Sequence, residues 1–454
     1  MTSGKAKHKI RAMLTDYGML PVLALLCVLF SILTIKDQTV TGPAGAQRLM
    51  EQLLNELATP GDALVVTSGS HDDIEFARTF TDLAEQDGWR VTSIAGDPSS
   101  VRSSLEAVDT VGGARYRVFT TSAFHPIVGR LLPQLTNIQV QNVSSPPSRR
   151  WPTFLLAENL RNVANQITVI AIIAIGMTIV IITAGIDLSV GSLIALSAVV
   201  IAWVIGPLGG ADVSTSGVLL AALAALAVCA GVGAFSGLMI TAFRIPPFIA
   251  TLAMMQVAAG LAYIISQGKP IYQLPAGFVW LGRAGDPILN LPIAVILMLG
   301  LYFVAWVVME RSVLGRHIYA VGGNPEAARL AGIRVKSVLM FAYTLCGLLA
   351  GVGGIIMASQ LKSGAPTYGL TYELYVIAAV VVGGTSLSGG EGKIVGTLIG
   401  AFVIGVIQNG MNLTNIESYT QKVVLGLVIL SAVLFDRMKQ KGFRKSFGFL
   451  KSTQ

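Results

Sequence analysis

Residues 383–393 read GGTSLSGGEGK and carry two apparent nucleotide-binding signals. LSGGE at 387–391 is one letter from the ATPase signature LSGGQ, and Gly392-Lys393 looks like the end of a phosphate-binding loop. Such a loop needs a Gly five residues before its Gly-Lys pair and a Ser or Thr after the Lys, for the backbone cradle and the Mg²⁺ ligand. Those positions hold Leu387 and Ile394. The LSGGQ motif works only in a soluble ATPase domain with its own phosphate loop. Here the stretch is flanked by YVIAAVVVGG and IVGTLIGAFVIGVI, both apolar enough for a bilayer. The spacing therefore predicts a Gly/Ser-rich turn between two membrane helices, with Lys393 near the surface, and no ATPase.

A second polar constellation lies in GMTIVIITAGIDLSVGSLIAL at 176–196, where Asp187 interrupts an apolar stretch. An ionisable group at membrane depth is costly and usually lines a cavity or meets a partner. Gly185, Ser189, Gly191 and Ser192 around it predict a break between two spans, with Asp187 capping the helix that follows. Three roles stay open on the residues alone: a structural cap near the cytoplasmic surface, direct contact with a transported solute, or proton coupling. GGTSLSGG at 383–390 matches AGIDLSVG at 184–191 at four of eight positions, pairing Gly384 with Gly185, Leu387 with Leu188, Ser388 with Ser189 and Gly390 with Gly191. The match hints at related halves, although Gly-rich membrane sequence also gives such matches by chance.

ERSVLGRHIYAVGGNPEAARLAGIRVK at 310–336 is a net basic connection between apolar spans. Within it NPEAARLAGI predicts a short helix, with Asn324 as cap, Pro325 at the first position and Glu326 at the positive end of the dipole. Gly332 follows it. A short capped helix projecting from the membrane suits docking on a soluble partner, and the same residues read equally well as an ordinary solvated loop.

Other polar groups carry less. SGSHDDIE at 68–75 reads as a helix start, with Ser70 as cap and acids in the first turn, rather than as a metal cluster. FRIPPFIATL at 243–252 puts Arg244 at a cytoplasmic edge and two prolines at a helix start. Gln256, Gln360, Gln408 and Asn409 lie in or near apolar spans and are candidates to line a path for a hydroxyl-rich solute, as does Glu373. Helix–helix hydrogen bonding is the alternative use of such groups. His8, His71, His125 and His317 all fall outside the spans, and no catalytic or metal site is expected.

Positioning these groups takes a membrane scaffold. Only 12% of the 454 residues are charged and 53% are hydrophobic, with a mean hydropathy of +0.69. Ordinary soluble domains carry roughly 25% charged residues. The 49 glycines suit close helix approach in lipid. Cys27, Cys229 and Cys346 fall in apolar spans, which argues against a disulfide framework. The net charge of +8 is clustered beside apolar spans, the pattern of cytoplasmic anchoring rather than of nucleic-acid binding. A basic segment at 1–16 precedes a first span at 17–36, expected to be retained, which puts the N-terminus in the cytoplasm.

Residues 37–150 differ in kind. ALVVT (63–67), RVTSIA (90–95) and YRVFTTS (116–122) predict short buried strands, separated by helical stretches in HDDIEFARTFTDLAEQDG and SSVRSSLEAV. That alternation is the signature of a small α/β unit with a parallel sheet. Nine further spans are expected within 151–436, near 154–185, 188–206, 217–243, 248–267, 290–309, 335–358, 372–387, 393–411 and 420–435. The first is too long for one perpendicular helix, so FLLAENLRNVANQ is expected to lie along the interface. Counting from an inside N-terminus returns the basic tail at 437–454 to the cytoplasm. The expected fold is an all-α polytopic membrane protein of about ten transmembrane helices, with a small α/β extracytoplasmic domain inserted between the first and second.

GMTIVIITAGIDLSVGSLIALSA, FRIPPFIATLAMM with GLAYIISQGKPI, GRHIYAVGGNPEAARLAGI and VVGGTSLSGGEGKIVGTLIGAFVIGVIQNGMNL follow in that order over roughly 154–436. Together they resemble the ribose-type monosaccharide permeases of ATP-binding-cassette (ABC) transporters. The resemblance implies a multi-pass subunit of the bacterial inner membrane that pairs with a second permease copy or paralogue and passes solute at the dimer axis. It implies ABC ATPase subunits and an extracytoplasmic solute-binding protein as partners. ATP and Mg²⁺ would then be bound by the partner ATPase, and this chain would need no cofactor. Further implied is an ATPase-coupling surface within 310–336 formed by Gly315, Arg316, Gly323, Asn324, Glu326, Ala327, Arg329 and Gly332. Gly185, Asp187, Ser189 and Gly191 would shape a mobile helix break on the translocation pathway. The 37–150 insertion departs from the family, whose members usually have a short connection there. Its α/β character suggests a tethered partial solute-binding domain, a docking platform or a specificity filter. A different class of function, an ion-coupled secondary transporter using Asp187, is the alternative. A membrane-anchored sensor would need an output domain, and the tail after 436 is too short for one.

Overall fold

The computed structural model describes residues 18–56, 59–109, 115–135, 139–272, 274–286 and 291–441. The basic N-terminal segment and residues 442–454 of the basic tail lie outside the described residues. Two compact units divide the chain: Met1–Thr34 with Phe154–Gln454, and Ile35–Thr153.

Helix α1 (Leu20–Leu33) is apolar along its length and carries a proline in its first turn, where no amide is missed. It is shorter than the expected span at 17–36, because Ile35 already belongs to a strand.

The unit Ile35–Thr153 follows as β1 (Ile35–Gln38), α2 (Gly42–Asn55), β2 (Asp62–Thr67), α3 (His71–Gln86), β3 (Arg90–Ala95), α4 (Pro98–Asp109), β4 (Arg115–Thr120), α5 (His125–Leu131), β5 (Gln139–Ser144) and β6 (Arg149–Pro152). β2 to β5 form one sheet in the order β3-β2-β4-β5, with every neighbouring pair parallel. Alternation along β2 feeds two cores. Ala63 and Val65 pack with Leu49 and Leu53 of α2 and with Phe76 and Phe80 of α3. Leu64 and Val66 pack with Val101 and Leu105 of α4 and Val128 of α5. The sequence signals three of these strands. It misses β5, an edge strand whose residues QVQNVS offer little apolar pattern, and the antiparallel ribbon in which Ile35 faces Pro152 and Gln38 faces Arg149.

The remaining helices are α6 (Ala157–Ile182), α7 (Val190–Ile205), α8 (Thr215–Ala242), α9 (Pro247–Ser266), the single turn α10 (Trp280–Arg283), α11 (Ile293–Arg311), α12 (Val313–Gly323), α13 (Pro325–Leu330), α14 (Val335–Leu361), α15 (Tyr372–Val382), α16 (Ile394–Leu413) and α17 (Ser418–Lys441). Six of them, α6, α8, α9, α11, α14 and α16, are long and apolar enough to cross a membrane; α1, α7, α15 and residues 418–434 of α17 are shorter apolar helices. α6 is the central helix, with every residue from Ile167 to Ile182 buried, as expected of a helix apolar on all sides. α14 packs against α6, α7 and α8. Its Gly347 meets Gly233 of α8 so closely that a side chain at Gly347 would collide with the Cys229 carbonyl, the small-residue contact that membrane helices use. On α8 and α9, Leu219, Leu220, Leu223, Phe248 and Ile264 are exposed, an apolar surface suited to lipid.

Three expectations are corrected here. FLLAENLRNVANQ is not a separate interfacial segment: α6 runs unbroken for 26 residues, about 39 Å at the usual rise. A helix of that length fits a bilayer by tilting. The span expected at 372–387 stops at Val382, where glycines begin. Residues 310–336 are not a loop with one short helix but the end of α11, two helices α12 and α13, and the start of α14. The extra helix is α12, capped by Ser312 and ending at Gly323 just before Asn324.

Candidate functional site

α6 ends at Ile182 in a tight helix stop. The Gly185 amide donates to the Val180 carbonyl at 3.0 Å and the Ala184 amide to that of Ile181 at 2.9 Å. This is a Schellman stop, which needs a left-handed residue at its centre. That residue is Ala184, with φ +62°, and not one of the glycines. Gly185 is needed for space instead, since a side chain there would collide with the Tyr343 hydroxyl of α14.

Asp187 follows, wholly buried. It does not cap α7, whose first residue is Val190. Its Oδ1 accepts from the Ser189 amide at 2.9 Å and the Ser189 hydroxyl at 2.6 Å, closing an Asx-turn just ahead of the helix. Oδ2 and the nearby Tyr343 hydroxyl are buried without a hydrogen-bond partner among the described residues. The Thr251 hydroxyl of α9 holds the Ile186 carbonyl at 3.2 Å. Gly191, in the first turn of α7, lies under the Glu373 carboxylate of α15, which a side chain at 191 would displace. An acid over a helix start is favourable to the dipole, and it ties the break to the segment leading into the Gly-rich turn.

That turn repeats the design. α15 ends with the Thr385 amide on the Val380 carbonyl at 3.2 Å and the Gly384 amide on that of Val381 at 2.9 Å. Gly384 takes the left-handed place of Ala184, at φ +91°. The Ser388 amide then donates to the Ser386 hydroxyl at 3.2 Å, as the Ser189 amide does to Asp187. The backbone amides that a phosphate cradle would need are spent inside the protein: that of Ser386 on Glu391, that of Gly389 on Ser386 and that of Gly390 on Ile182.

The turn is also where three segments meet. The Gly390 amide bonds the last carbonyl of α6, Ile182, at 2.8 Å. Gly322 of α12 lies against that same carbonyl and the Gly390 amide, so that any side chain at 322 would collide with them. Gly389 (φ +84°) passes between Ala184 and the Gly322 carbonyl, and Gly390 (φ +76°) lies over the backbone of Gly323. Tyr319 closes the joint, its hydroxyl donating to the Gly392 carbonyl at 2.7 Å. Burial and then the Glu310 carboxylate push the Tyr319 phenol up, so it keeps its proton and remains a donor.

The outer side of this joint is polar and capped. Ser312 caps α12 by accepting from the Gly315 amide at 3.1 Å. Gly315 itself is buried, because a side chain there would strike the Met309 carbonyl; it shapes the corner between α11 and α12 and is not a surface residue. Arg316, Gly323, Asn324, Glu326, Ala327, Arg329 and Gly332 are exposed. Asn324 Oδ1 accepts from the Glu326 and Ala327 amides at 3.1 and 3.0 Å, and Glu326 pairs with Arg329 at 2.9 Å. Leu330, 84% exposed at the tip of α13, completes the surface; its apolar type amid charged neighbours was the unused signal.

Of the five polar residues considered for a solute path, Glu373 lies over Gly191, and the other four are not brought together as a lining. The Gln360 amide donates to the Asn165 carbonyl at 3.1 Å, and Asn409 exchanges bonds with Asn159 at 2.9 and 3.1 Å. Both fasten helices to α6. Gln256 is exposed on α9 and Gln408 half-buried on α16.

Comparisons with known proteins agree with this architecture. A family model described as branched-chain amino acid transport system / permease component matches residues 159–433. The chain is 44% identical over 291 residues to the ribose import permease protein RbsC of Escherichia coli K12, covering 64% of this chain and 88% of the relative. Against the protein of the same name in Bacillus subtilis it is 45% identical over 288 residues, 63% of this chain and 87% of the relative. The L-arabinose transport system permease protein AraH of Escherichia coli K12 is 38% identical over 297 residues, 64% and 87% of the two chains. No solved structure matches. With its apolar helices and this breadth of match, the chain is a multi-pass membrane protein of the bacterial inner membrane, and it belongs to the family of branched-chain amino acid transport system permease components.

Proposed function

We propose that the chain is the translocating subunit of an importer for a monosaccharide or related polar solute, driven by ATP hydrolysed on a partner ATPase. The observation that carries the coupling half of this reading is the joint at Tyr319, Gly322 and Gly390. It ties an exposed, capped helix, α13 with α12, to the last carbonyl of the buried helix α6 through close backbone contacts and the single Tyr319 hydroxyl bond. A push on the outer surface from a closing ATPase would therefore reach the 183–189 break. The relatives, permease proteins for ribose and for L-arabinose, support the substrate class.

In this reading the four shorter apolar helices complete a ten-helix bundle with both termini in the cytoplasm. The unit Ile35–Thr153 then lies outside, a second permease copy or paralogue completes the pore, and an extracytoplasmic protein delivers the solute. Gentle purification from the native membrane tests the partner: a co-purifying ATPase with a phosphate loop, and uptake that stops when ATP is depleted, are expected. Uptake that persists without ATP overturns the reading. Ser100→Cys should react with an impermeant thiol reagent from outside and Glu326→Cys only from inside.

A further inference from the structure

The α/β unit holds a cluster of polar atoms that its own packing leaves unmatched. Among its described residues, the buried side-chain atoms without a hydrogen-bond partner are Gln52 Oε1, Thr67 Oγ1, Thr81 Oγ1, Thr120 Oγ1, Thr121 Oγ1 and His125 Nδ1. Three of these, on Thr67, Thr120 and Thr121, belong to the carboxyl ends of two adjacent central strands, β2 and β4, and the turn after β4, while His125 opens α5. Thr67, Thr120 and Thr121 have no solvent exposure. Burying a polar atom without a partner is costly, and the cost falls here on one edge of one sheet.

At that edge the strand connections reverse direction. From β2 the chain passes through α3, on one face, to β3; from β4 it passes through α5, on the other face, to β5. The two connections leave in opposite directions across the sheet, and open parallel sheets take ligands outside the carboxyl ends of strands at such a switch point. Val66 pairs with Thr120, so Thr67 and Thr121 come next and adjacent. By alternation both point to the face of Val65 and Phe119, while Thr120 points to that of Val118.

The loops at that edge are ordered by hydrogen bonds of their own. The Asp73 carboxylate accepts from the Ser68 amide and hydroxyl at 3.2 and 2.5 Å, and the Ser122 hydroxyl donates to the Pro146 carbonyl at 3.1 Å. Asp72 and Asp73 stand in the first turn of α3, and Asp97, its carboxyl held low by bonds from Ser100 and Ser99, stands before α4. Carboxylates at these loops disfavour an anionic ligand. Threonine hydroxyls donate and accept alike, which suits a neutral partner bearing hydroxyls.

We infer that the carboxyl edge of β2 and β4 is a binding site for a small neutral polyhydroxylated solute, a free aldose or polyol, held by the Thr67 and Thr121 hydroxyls, which share one face of the sheet. The position of the site stands on the unmatched atoms and the topology; the choice of a sugar rests in part on the importer reading. The hydroxyls are covered in the form described, so the solute enters as the 68–70 and 122–124 loops part.

Equilibrium dialysis of the purified full-length chain in lipid nanodiscs, without ATPase or binding protein, tests this with radiolabelled D-ribose, L-arabinose and myo-inositol. Saturable binding of at least one is expected. Thr67→Val with Thr121→Val should weaken it about tenfold or more and leave the melting temperature unchanged or raised, since no internal bond is lost. Thr67→Ser with Thr121→Ser, which keeps the hydroxyls, should retain binding. No saturable binding by the wild type overturns the inference, as does unchanged binding in the valine variant. A valine variant that melts lower than the wild type, with the serine variant normal, shows structural hydroxyls and overturns it too. Because uptake is not read, the absence of an ATPase would sink the importer reading and leave this measurement standing.

Discussion

The hydroxyl of Tyr319 donates to the main-chain carbonyl of Gly392 at 2.7 Å, and it closes a joint in which α12, the Gly-rich turn and the end of α6 touch backbone to backbone. A contact made of backbones has few ways to relax. Movement of one segment is passed on to the others instead of being absorbed by rotamers.

Tyr319→Phe removes that hydrogen bond and little else. The expected cost is about 1 kcal/mol of stability, with ATP-dependent uptake reduced while the assembled complex still forms. Gly322→Ala is the stronger test, since its methyl would collide with the Ile182 carbonyl. It should uncouple ATP hydrolysis from uptake in reconstituted vesicles. Wild-type coupling in Gly322→Ala would show that the joint is not in the path.

Reversing the exposed pair on α13 separates its fold from its recognition. Glu326→Lys with Arg329→Glu keeps an opposite-charge pair at the same spacing, and an exposed pair of this kind contributes only about 0.2–1 kcal/mol. The helix should survive while uptake and ATPase association are lost. Normal uptake would move the docking surface elsewhere. Leu330→Ser, taking away the exposed apolar tip, is expected to weaken association in the same pull-down.

Asp187 distinguishes an ATP-driven importer from an ion-coupled carrier. Asp187→Asn keeps Oδ1 as the acceptor of both Ser189 bonds and should cost about 1 kcal/mol with uptake largely intact. Asp187→Leu leaves the Ser189 amide and hydroxyl without their acceptor, at about 2–3 kcal/mol, and should lower thermal stability. Were Asp187→Asn alone to abolish uptake, and a protonophore to do the same to the wild type, the carboxylate would be a coupling site.

The insertion should be removable at its stem. The Phe154 amide donates to the Thr34 hydroxyl at 3.1 Å, so the helical unit is interrupted at two adjacent points. The strands leaving them pair from Ile35–Pro152 to Gln38–Arg149. Replacing 39–148 with Asn-Gly, a two-residue hairpin connection, should leave a membrane-inserted core with its normal mobility in gel filtration. Degradation of that variant would show that the helical unit depends on the α/β unit.

Much of this protein was readable from the chain. Apolar runs of span length gave the helical scaffold, since a bilayer allows long apolar segments few other folds. Asn324, Pro325 and Glu326 announced α13, because capping is a local property of neighbouring residues, and β2 to β4 followed from short-range alternation. What the chain could not settle depends on distant partners. Ala184, rather than Gly185, holds the left-handed turn, because Gly185 is occupied with making room for Tyr343, far along in sequence. Gln360 and Asn409 are structural, since their partners Asn165 and Asn159 lie on another helix. In sequence Gly389 and Gly390 read as part of a Gly/Ser-rich turn, and Gly322 carries no signal of its own. Only the tertiary structure makes them a contact, because a missing side chain shows its purpose when something else fills the space.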